Sequence, residues 1–532
     1  MLGHLPEVAS QQAYRQAGQH FVPGPACFSG RQHPGTLPQQ TRKGGLSPSL
    51  QCWGISGGQR SPRLHALPVL NSSAVTDGAA AGGTEDKWIA RVLAEFQPSD
   101  ESPPLPYPLE AMQTECTSAL RTQRMPTTRN EEYRFTDVGP LLQIQPQVAS
   151  PLDVDGEAVA AVSEAHSIKV AAAKIVVIDG VVSDQLSSTE GLPHQAFVGS
   201  LRDAPLDLMA QYLGQQARTR GSPFAIVNGA TAQDVLCVYV PDGVHLDKPI
   251  HVLYIPSGHS TMAAPRLLCV LGTDAAAEVI EEFVSPATDF STPHVTNALA
   301  EMELAQGARL KHGYVCLEGR QAMHMKGTLV RQAASSTYKL TEARLGGRLT
   351  RQDVNVAQEG EETRTEMRSF LLCGDRQLHD LHSKLRLEHP RGTADQLHKC
   401  IVAAGTGRGV FDGNVRVEQK AQKTDAGQLS RNLLLVPRAT VNVKPNLQIV
   451  ADDVKCTHGC AVSDLEEDQL FYFRARGVDS ATARRVLVYS FGAEVTTEWP
   501  YQQLRDRIQS AVDLALANVP IMESIESEPV EV

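Results

Sequence analysis

The sequence predicts a mainly β fold with a helical region at each end. From about residue 170 to about residue 465, short apolar runs follow one another, separated by Gly, Asp and Asn, as in KIVVIDG, LCVYVPDG and HVLYIPSG. A single β-sandwich usually closes after about 100 residues, so the series is too long for one. A β-solenoid accepts any number of turns, and a large barrel stays open as an alternative.

The segment before the strands has the period of helices. EDKWIARVLAEF carries apolar residues at helical spacing, which are Trp88, Ile89, Val92, Leu93 and Phe96. A second helical stretch, LEAMQTECTSALRTQRM, stops at Pro126 because proline breaks the helical hydrogen-bond pattern. We therefore predict a helical N-terminal region over residues 81–165 and a β core over residues 166–466.

The helical period returns after the β core. EEDQLFYFRARG ends with Gly477, a residue type that often ends helices. DSATARRVLVYSFGAEV begins with an Asp/Ser cap, and YQQLRDRIQSAVDLALANV is amphipathic up to Pro520. These features predict a helical C-terminal region over residues 467–520 and a disordered tail over residues 521–532.

The first 80 residues differ in composition from the rest. They are rich in Ser, Gly, Pro and Gln, and up to residue 76 they carry six basic side chains and one acid. This composition is typical of an organellar transit peptide, with a merely disordered tail as the alternative. The remainder is acidic, so we expect no nucleic-acid partner. We also expect no membrane partner, because no apolar run approaches the roughly 20 residues of a membrane span.

Three potential metal ligands stand close together in ADDVKCTHGCAV. Cys456, His458 and Cys460 occupy every second position, so on a strand they share one face. At about 3.3 Å per residue, however, the two cysteines lie about 13 Å apart, too far for one tetrahedral ion. One strand therefore offers two ligands at most, and the others must come from elsewhere. The alternative is that both cysteines are small packed residues and the histidine is satisfied or exposed.

Other segments give weaker signals of chemistry. A histidine-rich stretch contains His379, His382, His389, His398 and Cys400. It has the pattern of strands, so we expect polar, outward-facing histidines in preference to a zinc site. No phosphate-binding loop occurs, and GTGRGVFDG has its glycines in the wrong setting for a dinucleotide, so we expect no bound nucleotide. A carbohydrate-active solenoid enzyme stays open as an alternative, with the surface carboxylates Asp412, Asp425, Asp452 and Asp453.

The segment 409–478, from GVFDGNVRVEQ through KCTHGC to FYFRARGV, closely resembles the SufD family of the SUF iron-sulfur cluster assembly system. MPTTRNEEYRFTD, VVIDGVVSDQLSS and VPDGVHLDKPIHVLYI resemble it in the same order. The resemblance implies a right-handed parallel β-helix flanked by helical regions. It further implies a non-catalytic scaffold that pairs with the homologous SufB and binds the ATPase SufC. With the transit-like extension it indicates the plastid stroma, in preference to the mitochondrion.

The same resemblance assigns residues. SufB-like chains have Glu directly after the matching histidine and a cysteine about 28 positions before that Glu. Here Gly459 follows His458, and the upstream LLLVPRATVNVKP lacks cysteine. The chain is thus of the SufD type. His458 and Cys456 become candidate ligands of iron or a nascent iron-sulfur cluster at the subunit interface, and Cys460 is interpreted as a packing variant. The expected SufC-binding residues are Phe471, Tyr472, Arg474, Val486, Tyr489 and Phe491.

Overall fold

A computed structural model describes residues 86–96, 104–148, 156–258, 260–286, 293–465 and 467–517. The transit peptide predicted for residues 1–80 and the tail predicted for residues 521–532 lie outside this part of the chain. Its helices are α1 Lys87–Glu95, α2 Tyr107–Leu120, α3 Gly139–Leu142, α4 Gly156–Ala165, α5 Leu206–Met209, α6 Gln215–Arg220, α7 Pro223–Thr231, α8 Glu467–Arg474, α9 Ser480–Thr496 and α10 Gln502–Leu516.

The strands run continuously between the two helical regions, interrupted only by α5, α6 and α7 in the part of the chain that is described. They are β1 Ala173–Ile178, β2 Val181–Ser188, β3 Phe197–Ser200, β4 Leu236–Val240, β5 Ile250–Ile255, β6 Met262–Ala263, β7 Arg266–Leu271, β8 Ala276–Val284, β9 His294–Leu304, β10 Arg309–Leu317, β11 Ala322–Gln332, β12 Thr337–Arg344, β13 Leu349–Gln358, β14 Arg364–Cys373, β15 Leu378–Leu387, β16 Thr393–Val402, β17 Arg408–Val417, β18 Asp425–Leu434, β19 Thr440–Ile449 and β20 Lys455–Ser463.

The strands form a β-solenoid of about 7 turns, which confirms the predicted fold class. Sheet A has the order β2-β1-β5-β8-β10-β12-β14-β16-β18-β20, and sheet B has the order β19-β17-β15-β13-β11-β9-β7-β4-β3. From β7 onwards consecutive strands alternate between the sheets. Each strand therefore pairs in parallel with the strand two later in the chain, as β14 does with β16 over ten positions.

The two ends of the solenoid differ. At the start, β2 runs antiparallel to β1 and closes sheet A, while the four-residue β3 runs antiparallel to β4 and closes sheet B. At the far end, among the residues that the structure describes, β20 pairs with β18 alone and β19 with β17 alone. The last turn therefore leaves a free parallel edge on each sheet.

Many turns of the solenoid contain a residue with the same unusual backbone conformation. In the six successive turns from β7 to β18 where the chain passes from sheet B to sheet A, one residue has a left-handed conformation. These residues are Asp274, Gly307, Ser335, Glu362, Arg391 and Lys423, with φ between 54° and 69°. Five of the six carry side chains, for which this conformation is unfavourable, so the stacked ladders on either side hold the turns in place.

Helices cover the outer face of each sheet. Trp88 and Tyr133 of the N-terminal region and Phe224 of α7 pack with Met325 and Leu349 of sheet B. On the outer face of sheet A a second cluster joins C-terminal residues to strand residues, and its members include Val488, Trp499, Ile508, Ile280, Phe370 and Leu433. No helix among the described residues is long and apolar enough to cross a membrane.

Helices α5, α6 and α7 were not predicted, because the sequence pattern favoured strands throughout this part of the chain. The reason is clearest for α7, PFAIVNGAT, in which seven of nine residues are buried. A helix buried on nearly all sides has no polar face, so its short apolar run cannot be distinguished from a buried strand by periodicity.

Candidate functional site

The residues singled out in KCTHGC lie on β20, the last strand of sheet A. In the parallel ladder Cys456 pairs with Ala426, His458 with Gln428 and Cys460 with Ser430 of β18. Register partners in a parallel ladder point to the same side, and Ala426 belongs to the apolar interior. The three side chains therefore continue the interior stack into its last, uncovered layer.

Exposure of these residues follows from that end position. Cys456 is half-buried and packs against the interior cluster, whereas His458 and Cys460 are exposed. Burial raises the pKa of the Cys456 thiol. Cys456 and His458 are thus accessible from the open end of the solenoid.

The layer beneath His458 is polar. Gln428 Nε2 donates to Gln396 Oε1 at 2.9 Å, and Gln396 Nε2 donates to Ser383 Oγ at 2.9 Å. All three side chains are buried inside the solenoid. The imidazole therefore stands at the end of a hydrogen-bonded polar column, a setting in which a charged or metal-bound group is less costly than above an apolar core.

Gly459 lies on the opposite face of β20. A Cβ at this position would lie 3.1 Å from Leu429 Cδ1. A larger side chain here would have to displace Leu429, its register partner. The glycine that separates this chain from the SufB-like pattern therefore also has a local packing role.

An apolar rim accompanies these groups at the free edge. Ile449, Val450 and Val462 are 46%, 50% and 48% exposed. We call the set formed by Ile449, Val450, Cys456, His458, Cys460 and Val462 the open-end surface. Unpaired strand edges with exposed apolar side chains are rarely left uncovered in stable proteins, because they attract further strands.

Helix α8 presents a second exposed aromatic patch. Phe471 and Tyr472 are 72% and 54% exposed, Arg474 is exposed, and the Arg476 guanidinium lies 3.5 Å from the centre of the Tyr472 ring. We call Phe471, Tyr472 and Arg474 the α8 patch. Large aromatic and arginine side chains are the residue types that most often dominate protein–protein binding.

The three residues predicted on α9 lie differently. Val486 and Tyr489 are half-buried. Phe491 packs against sheet A, where the Lys399 ammonium lies 4.3 Å from its ring centre and donates to its backbone oxygen at 2.9 Å. Phe491 is therefore engaged by its own chain and offers less surface to a partner than the α8 patch.

The histidine-rich segment corrects one prediction. His379 and His398 are fully buried on the inner faces of β15 and β16, and His382 is buried beside Asp380 at 3.1 Å. The prediction of outward-facing polar histidines is wrong for His379 and His398. His382 points to the outer face of sheet B, where it is buried, and the prediction holds for the exposed His389. Leu381 and Leu385 belong to the interior cluster and so define the inward face of β15. His379 lies an even number of positions from both and therefore points to the same face.

The surface carboxylates do not form a facing pair. Asp412 lies on β17 of sheet B, 3.6 Å from Lys444, whereas Asp425 begins β18 of sheet A. Asp453 pairs with Lys423 in the turn before β20. These positions give no support to the carbohydrate-active enzyme.

Two family models match consecutive parts of the chain. A family model described as SUF system FeS cluster assembly, SufBD core domain, matches residues 254–491, and one described as SufBD protein N-terminal region matches residues 104–252. The chloroplastic protein ABCI7 of Arabidopsis thaliana is 38% identical over 467 residues, which cover 85% of this chain and 96% of that relative.

Two bacterial relatives extend the comparison. An iron-sulfur cluster assembly SufBD family protein of Synechocystis is 34% identical over 404 residues, covering 74% of this chain and 88% of its own length. The iron-sulfur cluster assembly protein SufD of Escherichia coli is 28% identical over 400 residues, covering 74% of this chain and 89% of its own length.

Proposed function

Because this chain belongs to the SufBD family of iron-sulfur cluster assembly proteins, we propose that it is the SufD-type subunit of a SUF complex. In this role it is a non-catalytic scaffold that pairs with a SufB-like homologue and with a SufC-like ATPase, to which ATP hydrolysis belongs. The single observation that carries the proposal is the open-end surface, which combines a free strand edge, apolar residues and two candidate metal ligands.

Pairing with a homologous β-solenoid suits this surface. A second solenoid that ends in the same way would cover the apolar rim and the exposed layer of β20. Burial of such side chains contributes about 25 cal/mol per Å² of apolar area, so covering the rim favours association. The partner thereby reaches the side chains of Cys456 and His458.

The cargo of this interface would be iron or a nascent iron-sulfur cluster. Imidazole and thiolate are suitable ligands for iron, and β20 supplies one of each at Cys456 and His458. Because a single strand cannot complete the coordination, the partner must provide the remaining ligands. Binding of the cargo is thus coupled to pairing.

The SufC-like ATPase would bind the C-terminal helices. The α8 patch is the favoured contact because Phe471 and Tyr472 are exposed. Val486, Tyr489 and Phe491 would lie at the edge of this contact, where Phe491 also packs α9 against sheet A. The plastid stroma is the proposed location, supported by the chloroplastic relative and the basic, acid-poor first 76 residues.

Co-expression of the chain with a SufB-like and a SufC-like protein tests the proposal. We expect a single complex containing all three proteins on gel filtration, and cluster absorbance after anaerobic reconstitution with iron and sulfide. A chain that elutes alone, and that adds nothing to cluster formation by the other two, would overturn the scaffold role. Turnover of a polysaccharide by the isolated chain would favour the enzyme alternative instead.

A further inference from the structure

The corner between β10 and β11 holds three buried metal-ligand types. Cys316, Glu318 and His324 are all buried, and one donor atom from each lies within 4.8 Å of the other two. Cys316 lies near the end of β10, Glu318 follows that strand and His324 lies early in β11. The cluster belongs to an early turn of the solenoid and shares no residue with the open-end surface.

The distances between these donors are close to those of a metal centre. Cys316 Sγ lies 3.7 Å from Glu318 Oε2, and His324 Nδ1 lies 2.7 Å from the same oxygen. Tetrahedral coordination with bonds of about 2.0–2.3 Å places donors about 3.3–3.7 Å apart. The Cys316 thiol already lies at this separation from Glu318 Oε2. The His324 imidazole would reach the same separation from that oxygen by a movement of less than about 1 Å.

Neighbouring side chains hold the Glu318 carboxylate and the His324 ring in place. Thr296 Oγ1 donates to Glu318 Oε1 at 2.6 Å, and His294 Nε2 lies 3.6 Å from that oxygen. The Phe283 ring meets the His324 ring edge-on, with centres 4.6 Å apart. Partners of this kind orient the ligands of metal sites and strengthen binding.

The charge balance of Glu318 differs from that of other buried glutamates. Glu281 contacts Lys326 at 2.7 Å, and Glu301 contacts Arg266 at 2.5 Å. The ion pairs of Glu318 are with His294 and His324, whose rings carry charge only when protonated. A divalent ion at this corner would add a fixed positive charge beside the buried carboxylate.

A small cavity reaches Glu318, one of the three proposed ligands. Its volume is about 20 Å³, and Glu318 and Thr296 line it together with the turn at Asp179 and Gly180. About 10–15 Å³ is enough for one water-sized guest. The cavity therefore has room for a bound ion's fourth ligand, water, beside Glu318.

From these observations we propose that Cys316, Glu318 and His324 bind one divalent transition-metal ion of the Zn²⁺ or Fe²⁺ class inside this subunit. A thiolate, an imidazole and a carboxylate are ligands that both ions accept, whereas Mg²⁺ and Ca²⁺ prefer oxygen alone. The site is separate from the proposed interfacial ligands and does not require a partner subunit.

Cobalt titration of the full chain tests this site. The chain carries Cys456→Ser and His458→Ala, is stripped of metal with a chelator and is then titrated with Co²⁺. We expect one equivalent to bind with thiolate-to-cobalt absorption, and Zn²⁺ to displace it. In the same background, Cys316→Ser should abolish this absorption and Glu318→Gln should weaken binding at least about tenfold. Cys269→Ser, which removes another buried thiol, is the matched control.

Two results would overturn the proposal: no cobalt–thiolate absorption in the background variant, or absorption that survives Cys316→Ser. Because substitutions in a buried corner can unfold the chain, circular dichroism of each variant is recorded. X-ray absorption of the Zn²⁺-loaded background variant gives an answer that needs no substitution in the corner. We expect one sulfur ligand per zinc, and a spectrum with none or with more than one contradicts the assignment.

Discussion

His458 occupies the position directly above Gln428 in the parallel ladder of sheet A, yet Gln428 is 3% exposed and His458 is open to solvent. The two side chains point to the same side, and they differ because one more strand covers Gln428. The environment of His458 therefore changes when a further layer is added. A partner solenoid would be that layer.

Replacement of His458 by Ala should lower cluster loading of the three-protein complex at least about tenfold, because an interfacial ligand is lost. Complex formation should be unchanged, since the imidazole is a small part of the surface. Iron and sulfide per complex are the quantities to measure. Thr457→Ala, an exposed neighbour on the opposite face of β20, is the control. Normal loading of the His458→Ala complex would exclude the ligand role.

A charge on the apolar rim should prevent pairing. Val462→Glu is expected to weaken association with the SufB-like chain at least about tenfold, because the carboxylate must lose water in the interface. Sedimentation velocity measures the association. Val170→Glu changes a valine of similar exposure near the start of the solenoid, 55% against 48%, and should have no effect. Equal effects of the two substitutions would argue against an interface at the open end.

Removal of the two aromatic rings of the α8 patch should release the ATPase. Phe471→Ala with Tyr472→Ala is expected to weaken SufC binding about 30-fold or more, the effect of losing about 2 kcal/mol at a binding hot spot. Isothermal titration gives the dissociation constant. Leu514→Ala removes an exposed apolar side chain, 52% exposed, from α10 and is the matched control. Unchanged affinity after the double substitution would move the contact elsewhere on the C-terminal helices.

The buried histidines should make stability depend on pH. Burial lowers the pKa of His398 to about 3 from its ordinary 6.5. The unfolded chain therefore binds a proton below about pH 6.5 that the folded chain excludes, so stability falls as pH falls from 6.5 towards 3. The limiting slope is about 1.4 kcal/mol per pH unit for each such histidine.

His398→Leu should remove one such contribution. Urea unfolding between pH 5 and pH 8 measures the slope, and the variant is expected to be less sensitive to acid than the parent chain. Replacement of the exposed His389 by Gln is the control and should leave the slope as it is. An identical slope in the His398→Leu chain would contradict the role of burial.

Local signals explain which elements the sequence predicts well. Asp479 caps α9 by accepting from the Thr482 amide, and Gly477 has the left-handed conformation expected after α8. Capping residues act on neighbours in the sequence, so they can be recognised without knowledge of the fold. The period-2 pattern of the strands likewise predicts which residues of β20 share a face.

Properties that depend on stacking could not be predicted from single segments. The exposure of His458 depends on β20 being the last strand of sheet A, and the burial of His398 on Phe411, whose ring stacks on it at 4.4 Å. The cluster of Cys316, Glu318 and His324 comes together where the chain turns from one sheet to the other. Its one signal in the sequence is Cys-x-Glu followed by His six positions later.

The unequal ends of the solenoid limit how many copies can associate in a row. Sheet A begins with β2, which is polar and pairs irregularly, and sheet B begins with β3, which has only four residues. Short or irregular antiparallel strands are poor templates for another chain, whereas the far end is a good one. In the proposed complex, a chain with one adhesive end pairs once through that end and cannot grow into a filament. The proposed contact at the open end therefore implies a limited number of subunits as well as a contact surface.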